Sequence, residues 1–445
     1  MNSAYTNKVT FKSLLKFALP NIIMMVFLSL YVIIDGIFIS SKVNEDALGG
    51  VNIAYPIVSL MFGISIMIAS GGGALISKKL GEGKDEEARK NFSTLVLLEV
   101  IVGGLFFITG LLFADDIVRI LGGSMASEVQ LSYAAKYLKV VLMFAPALFL
   151  QCAFQTFFLT VGKPVIGMGA VICAGIANIV LDFVFIVVLG MGIEGAALAT
   201  SLGQCIPAVT GVIYFFVVRT GRIYFVAPKF DFKMIGKSCT NGSSEMMSNL
   251  SNAVTTFIFN IVFLRIYGDF GTSAITIVLY FQFIIIAIFF GYTNGVSPII
   301  SYKYGEKKTS DIKEILKKSL QIISVLSVVM FIVSLLIGKF VISAFTNVGT
   351  EVFDIAYDGL FYFVPAFLFS GFTILITGFF TSLNNGLISG VISTLRSLVF
   401  LSLSIIICSS LFGGAGAFGS VAVAEFLGLC VAVIFLIKNK KKYGY

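Results

Sequence analysis

Twelve windows of about 20 predominantly apolar residues dictate what this chain can become. They lie near 17–41, 52–76, 92–113, 137–159, 165–189, 193–218, 240–264, 274–300, 316–337, 360–381, 387–411 and 418–437. Each is long enough to cross the hydrocarbon core of a bilayer as a helix. Backbone facing lipid finds no water to bond, so helices are the form available to such segments. The predicted fold class is an all-α polytopic membrane protein. Composition agrees, because 58% of the 445 residues are hydrophobic and only 12% are charged. A soluble domain carries about 25% charged residues.

The basic residues set the orientation. Of the 31 Lys and Arg, 24 lie in the N-terminal tail, the loops after even-numbered spans and the C-terminal tail; six lie near the opposite side. The remaining one, Arg396, is inside a span. The positive-inside rule then places both termini in the cytoplasm of a cell-membrane protein. The net charge of +8 is thereby explained by topology, which removes the case for a nucleic-acid partner. The apolar run that begins near residue 17 exceeds a signal-peptide core and no AxA-like site follows, so it reads as a retained first span.

The chain repeats itself. "LISKKLGEG" at 75–83 returns as "IISYKYGEK" at 299–307, and "GMGIEGAALAT" at 190–200 as "GAGAFGSVAVA" at 414–424, both displaced by 224 residues. "FAPALFL" at 144–150 resembles "FVPAFLF" at 363–369. Two six-span halves follow: an N-lobe at 1–218, a cytoplasmic linker at 219–237 and a C-lobe at 238–445. An even number of spans per half makes the repeats parallel, related by a pseudo-twofold axis along the membrane normal, as in many secondary transporters.

Several chemistries are excluded. Histidine and tryptophan are absent, and no HExxH or GxSxG motif occurs, so the chain is not expected to be an enzyme. The six cysteines stand singly in apolar surroundings, without a CxxC, and read as small core residues. "SGGGALISKKLGEGK" lacks the GxxxxGK[ST] spacing of a phosphate loop, and its glycines read as packing and turn positions. No cofactor is expected beyond a coupling ion.

Few acids sit inside the spans, and each is costly there, at roughly 2.5–3.5 kcal/mol for a central Asp. They are Asp35, Glu99, Asp182, Glu245 near a span end, and Glu425. At ~1.5 Å per residue, Asp35 lies ~9 Å from the outer end of span 1, and Asp182 and Thr200 lie ~12 Å into spans 5 and 6. Asn178 precedes Asp182 by one turn on the same face, and Gln204 follows Thr200 in the same way. Two carboxylates, an amide oxygen and a hydroxyl thus share one level. Such hard oxygens suit Na⁺. Alternatively, the two carboxylates share a proton. Against this stands the plain reading of each Asp as an interhelical hydrogen-bonding residue. The second half lacks the set: Asp35 maps near Phe257 to Phe259, Asp182 near Ser404 to Ile406, and Thr200 to Ala424. There Arg396 and Glu425 read as a structural pair, and Glu99 stands apart from the common level.

Span 7, "SCTNGSSEMMSNLSNAVTTF", is too polar to face lipid all round and is expected along a water-filled cavity between the halves. Its repeat partner, span 1, would present Asn21, Met24, Met25 and Tyr31 to the same cavity, an adaptable surface for varied ligands.

Over essentially its whole length the chain resembles the multidrug and toxic compound extrusion (MATE) family. The resemblance is carried by "FALPNIIMMVFLSLYVIIDGIFIS" in span 1, "ANIVLDFVFI" in span 5, "GIEGAALATSLGQ" in span 6 and the loop "GEGKDEEARK". The aspartate of span 1 is similar to that of the DinF-like prokaryotic branch. The resemblance implies twelve helices in two lobes around a V-shaped cavity. It also implies export of lipophilic, often cationic, small molecules against inward Na⁺ or H⁺ flow. It assigns the cation site to Asp35, Asn178, Asp182 and Thr200, with the backbone carbonyl of Ala196 as a further ligand. A monomer in the lipid bilayer is expected. The competing reading is a lipid-linked oligosaccharide flippase of the same superfamily. Lipid II flippases usually have fourteen spans and several cavity arginines, whereas Arg396 is the one interior arginine of this sequence.

Overall fold

The computed structural model describes residues 9–39, 43, 45–122 and 127–445. Among them every regular element is helical: α1 (Phe11–Phe38), α2 (Glu45–Gly81), α3 (Asp85–Gly122), α4 (Glu128–Met143), α5 (Ala145–Thr160), α6 (Pro164–Asp182), α7 (Gly192–Val217), α8 (Phe232–Gly305), α9 (Thr309–Ser343), α10 (Glu351–Phe363), α11 (Phe367–Ser382), α12 (Gly386–Thr394) and α13 (Leu401–Tyr443). π-helical turns at Phe183–Val188 and Leu395–Phe400 extend α6 and join α12 to α13.

These elements make twelve spans. α8 holds 74 residues, about 111 Å at helical rise, far beyond a ~30 Å hydrocarbon core. Its backbone turns at Gly268 (φ 64°, ψ −151°), which divides it in two. The run Gly386–Tyr443 is divided in the same way at Gly413 (φ 58°, ψ −136°). In the opposite sense α4 and α5, bent by 58° at Phe144, form one broken span, with Pro146 in the first turn after the break. The matching segment of the second half stays continuous and tightens into a 3₁₀ turn, Val364–Ala366, around Pro365. The helices outrun the apolar windows: α3 has 38 residues, because Asp85, Glu86 and Glu87 in its first turn favour a helix N-terminus.

The internal repeat is written in the backbone. Gly83 (φ 76°) and Lys307 (φ 59°), 224 residues apart, both end helices in the left-handed region, as do Gly162 (φ 71°) and Asn384 (φ 56°), 222 apart. All four carry the same double closure. Lys84 N–H donates to Lys79 O and Gly83 N–H to Leu80 O, while Lys308 donates to Lys303 O and Lys307 to Tyr304 O. Ion pairs repeat as well. Lys79 reaches Glu82 at 3.6 Å and Glu87 at 2.7 Å; Lys303 reaches Glu306 and Asp311, each at 3.1 Å.

The chain packs as two compact units, Phe27–Gly242 and Met1–Val26 with Ser243–Tyr445. The repeat-based division counts residues 1–26 with the first lobe; by packing, residues 9–26 go with the second unit. Glycines account for this. A Cβ on Gly291 would lie 2.6 Å from Ile22 Cα, and one on Gly295 2.8 Å from Ala18 Cα, so the start of α1 seats directly on the backbone of α8. Inside the first unit, Gly71 and Gly242 allow a similar approach of α2 to the start of α8, as expected of packing glycines. The expected linker is helical from Phe232 onward, and its preceding part is strapped to the first unit. Arg222 pairs with Asp85, Arg89 stacks on Tyr224 at 4.2 Å, and Ser93 and Thr94 bond the backbone of Val226 and Lys229.

The burial pattern is that of a lipid-facing protein. Leu336 and Phe340 are 76% and 78% exposed, whereas Ser65, Glu99 and Asp182 are fully buried. Polar groups of span 7 are engaged within each unit: Ser238 bonds Ile68 O at 3.0 Å in the first, and in the second Ser248 meets Ser393 at 2.8 Å while Ser393 bonds Ser244 O at 2.8 Å.

Candidate functional site

The site is built on α6 and α7. After the left-handed turn at Gly162, Pro164 starts α6 with its φ already helical. Gly167, Ala170, Ala174, Gly175, Asn178 and Asp182 form its buried face. Small residues here let neighbours come close. A Cβ on Gly175 would lie 2.3 Å from the Phe27 ring of α1, and one on Gly203 of α7 would lie 3.1 Å from Ala174 O. The outer part of α1 is thereby drawn against α6.

This packing brings the expected residues together in two pairs. Asp35 of α1 and Asp182 of α6 present adjacent carboxyl groups. Asn178 Nδ2 donates to Thr200 Oγ1 of α7 at 3.2 Å. Ala196 is buried one turn before Thr200. Beside them a cavity of ≈ 10 Å³ is lined by Tyr31, Gln151, Ala174, Asn178, Thr200, Gly203 and Gln204. That is room for about one water-sized sphere.

The electrostatics are one-sided. Asp182 is fully buried and Asn178 is 2% exposed. Yet Asp35 Oδ1, Asn178 Oδ1, both Asp182 oxygens and Gln151 Oε1 are buried without a hydrogen-bond donor. Leaving a single such acceptor unmet costs about 1–3 kcal/mol, more if charged. Five together form a concentrated demand for positive charge. A small hard cation or a proton meets that demand, and the donor set, all oxygen, fits either.

Tyr137 of α4, which lies near both carboxyls, and Gln151 of α5 were missed in the sequence. The available signal was a lone amide, Gln151, in an apolar span just past the Phe144 break. Of the four positions expected at a substrate cavity, Tyr31 lines the small cavity described above. Asn21 is buried and donates to Gly291 O at 2.7 Å within the second unit. Met24 is buried and Met25 half-buried. In the second unit Arg396 and Glu425 form an ion pair with three N···O contacts of 2.9–3.0 Å, and Glu245 lies near Arg396.

Comparison with known proteins fits this arrangement. The MatE family model matches residues 20–184 and 246–406. "Multidrug export protein MepA" of Staphylococcus aureus is 26% identical over 436 residues, covering 97% of this chain and 94% of its own length. The protein of the same name from Staphylococcus saprophyticus is 25% identical over the same span and coverage. Among solved structures, the "outward-facing conformation of a multidrug resistance MATE family transporter of the MOP superfamily" superposes with a TM-score of 0.92 at 20% identity, covering 100% of this chain and 99% of that one.

Proposed function

Because this chain belongs to the MatE family of membrane transporters, we propose that it is a secondary-active exporter of lipophilic or cationic small molecules, driven by inward movement of Na⁺ or H⁺. The MepA relatives, named for multidrug export, support the substrate class. The observation that carries the coupling is the donorless oxygen cluster: Asp35 beside Asp182, with Asn178 and Thr200 joined next to them. Asp35, Asn178, Asp182 and Thr200 take the ion by their side chains, and Ala196 by its backbone carbonyl.

An ion bound there changes the protein only if it fits one arrangement of the unit better than another. Asp35 is the residue that makes this so, because it is carried by α1 while the other four stand on α6 and α7. Binding ties α1 to those helices; release frees it. Both termini face the cytoplasm, as the Lys and Arg bias requires.

The test uses purified protein in proteoliposomes loaded with a fluorescent cationic dye, with Na⁺ and pH gradients imposed one at a time. Wild type should export dye under at least one gradient. Asp35→Asn keeps the side-chain shape and removes the charge, so it should insert normally and lose gradient-driven efflux. Wild-type coupling by a monodisperse Asp35→Asn protein would leave Asp35 as a structural residue and end this reading.

A further inference from the structure

Glu99 belongs to none of the machinery above, yet it is a fully buried carboxyl in the middle of α3. Its Oε2 lies 2.8 Å from Ser65 Oγ of α2, and the same Ser65 Oγ lies 3.1 Å from the carbonyl oxygen of Phe149 in α5. Glu99 Oε1 has no partner. Among the described residues no Lys or Arg forms an ion pair with it. The titratable groups facing it are two thiols, Cys152 from α5 and Cys239 from α8.

Proton counting decides what this triad holds. A serine hydroxyl carries one hydrogen and can accept others. If Glu99 is a carboxylate, both neighbours of Ser65 are pure acceptors and compete for that hydrogen. Ser65 can then serve only one of them; the Phe149 carbonyl keeps its bond within α5 either way, whereas the buried carboxylate, with Oε1 donorless, is left with at most one bond. If Glu99 is a carboxylic acid with its proton on Oε2, it donates to Ser65 Oγ and Ser65 donates to Phe149 O. Both contacts are then satisfied, and the two bonds reinforce one another in series. Thiols are weak donors and supply no substitute.

We propose that Glu99 is a proton-binding site of the first unit, separate from the Asp35–Asp182 pair, and that its proton ties α3, α2 and α5 together. Loss of the proton turns the Ser65 hydroxyl toward Glu99 and releases the Phe149 carbonyl. Phe149 lies two residues before Gln151, which lines the small cavity, so the change reaches that cavity along α5.

Infrared spectroscopy of the full chain in lipid tests the proton without needing transport, so its outcome is independent of the function proposed above. At neutral pH the carbonyl band of a protonated carboxyl should be present and shift on deuteration. It should persist in Asp35→Asn/Asp182→Asn and lose one carboxyl's share in Glu99→Gln. Glu99→Asp should restore it. Identical bands in wild type and Glu99→Gln would show Glu99 ionised and overturn the proposal. The glutamine amide donates permanently to Ser65, so it mimics the tied arrangement. Dye efflux by Glu99→Gln should fall at least about fivefold, the lower end of coupling between linked sites, and lose its pH dependence. Efflux with the rate and pH profile of wild type would make the proton a fixed structural one, which also overturns the proposal.

Discussion

Asp182→Asn and Glu425→Gln remove one buried carboxylate each, and the structure assigns them opposite effects on stability. Glu425 accepts three contacts from Arg396 at 2.9–3.0 Å, with the two side chains only 8% and 11% exposed. Removing one partner of a buried pair costs about 3–5 kcal/mol, because the other charge is left uncompensated. The glutamine carbonyl still accepts one bond and Glu245 lies near Arg396, so the lower end, about 3 kcal/mol, applies. With an unfolding entropy of about 2.1 cal/mol/K per residue over this chain, that lowers Tm by about 3 °C. With both carboxyls ionised no donor reaches Asp182, so Asp182→Asn breaks no hydrogen bond. Its new amide hydrogens lie beside the Asp35 carboxyl, whose Oδ1 is donorless. A bond to a charged acceptor contributes about 1.5–3 kcal/mol, so Tm should hold or rise by up to about 3 °C. Transport should go the other way: Asp182→Asn loses coupled dye efflux, while Glu425→Gln retains more of it. The chain has no tryptophan but carries six free cysteines with Cys152 buried, so unfolding can be followed with a thiol-reactive fluorophore. If Asp182→Asn fell in Tm as far as Glu425→Gln, Asp182 would be making a stabilising contact. The argument from donorless oxygens would then fail.

Three further outcomes follow from the fold. Gly242→Ala places a Cβ 1.9 Å from the Met67 carbonyl oxygen, where only backbone movement makes room; it should cost about 3 kcal/mol, read as a Tm lower by about 3 °C or as lost monodisperse yield. Lys307→Gly relieves a left-handed residue and should stabilise by about 1 kcal/mol, whereas Gly83→Ala, at the matching turn, should destabilise by a similar amount in the same thermal assay. A cysteine introduced by Lys440→Cys should react with an impermeant maleimide only after cells are permeabilised; labelling of intact cells would reverse the proposed orientation.

Twelve spans, the repeat and the shared face of Asn178 and Asp182 were legible because each rests on a local rule: window length, sequence shift, and one-turn spacing. The Asp35–Asp182 encounter was legible through depth, which hydropathy and helical rise provide together. What depth omits is direction around the helix. Tyr137 and Gln151 approach the site because the chain bends by 58° at Phe144, and a hydropathy window does not register a bend. The seating of residues 9–26 with the second unit was hidden for a related reason. It depends on Gly291 and Gly295, about 270 residues away, accepting the backbone of α1. Glu99 was visible as an acid in an apolar span, but its proton count needed the positions of Ser65 and Phe149.

The repeat also shows how one frame serves two ends. At the 222-residue offset of the Gly162 and Asn384 turns, Arg396 stands where Ala174 stands in the first unit. At the 224-residue offset, Glu425 and Gly428 stand where Ser201 and Gln204 stand. Ala174 and Gln204 line the small cavity of the first unit. In the second unit that place is taken by the stem of Arg396, which runs so close to Gly428 that a Cβ there would lie 3.1 Å from it. The oxygens around it have changed too: Asn178, Asp182 and Thr200 correspond to Phe400, Ser404 and Ala424. The second unit thus carries a guanidinium bonded to the chain, with Glu425 as its fixed counter-charge. The first unit offers oxygens and a small space, with no side-chain cation among the residues lining it. On the transport reading, a positive charge can enter and leave only where it is not covalently held, so the exchangeable ion belongs to the first unit. The ion pair of the second unit gives the matching helices a closed, permanent version of the same contact.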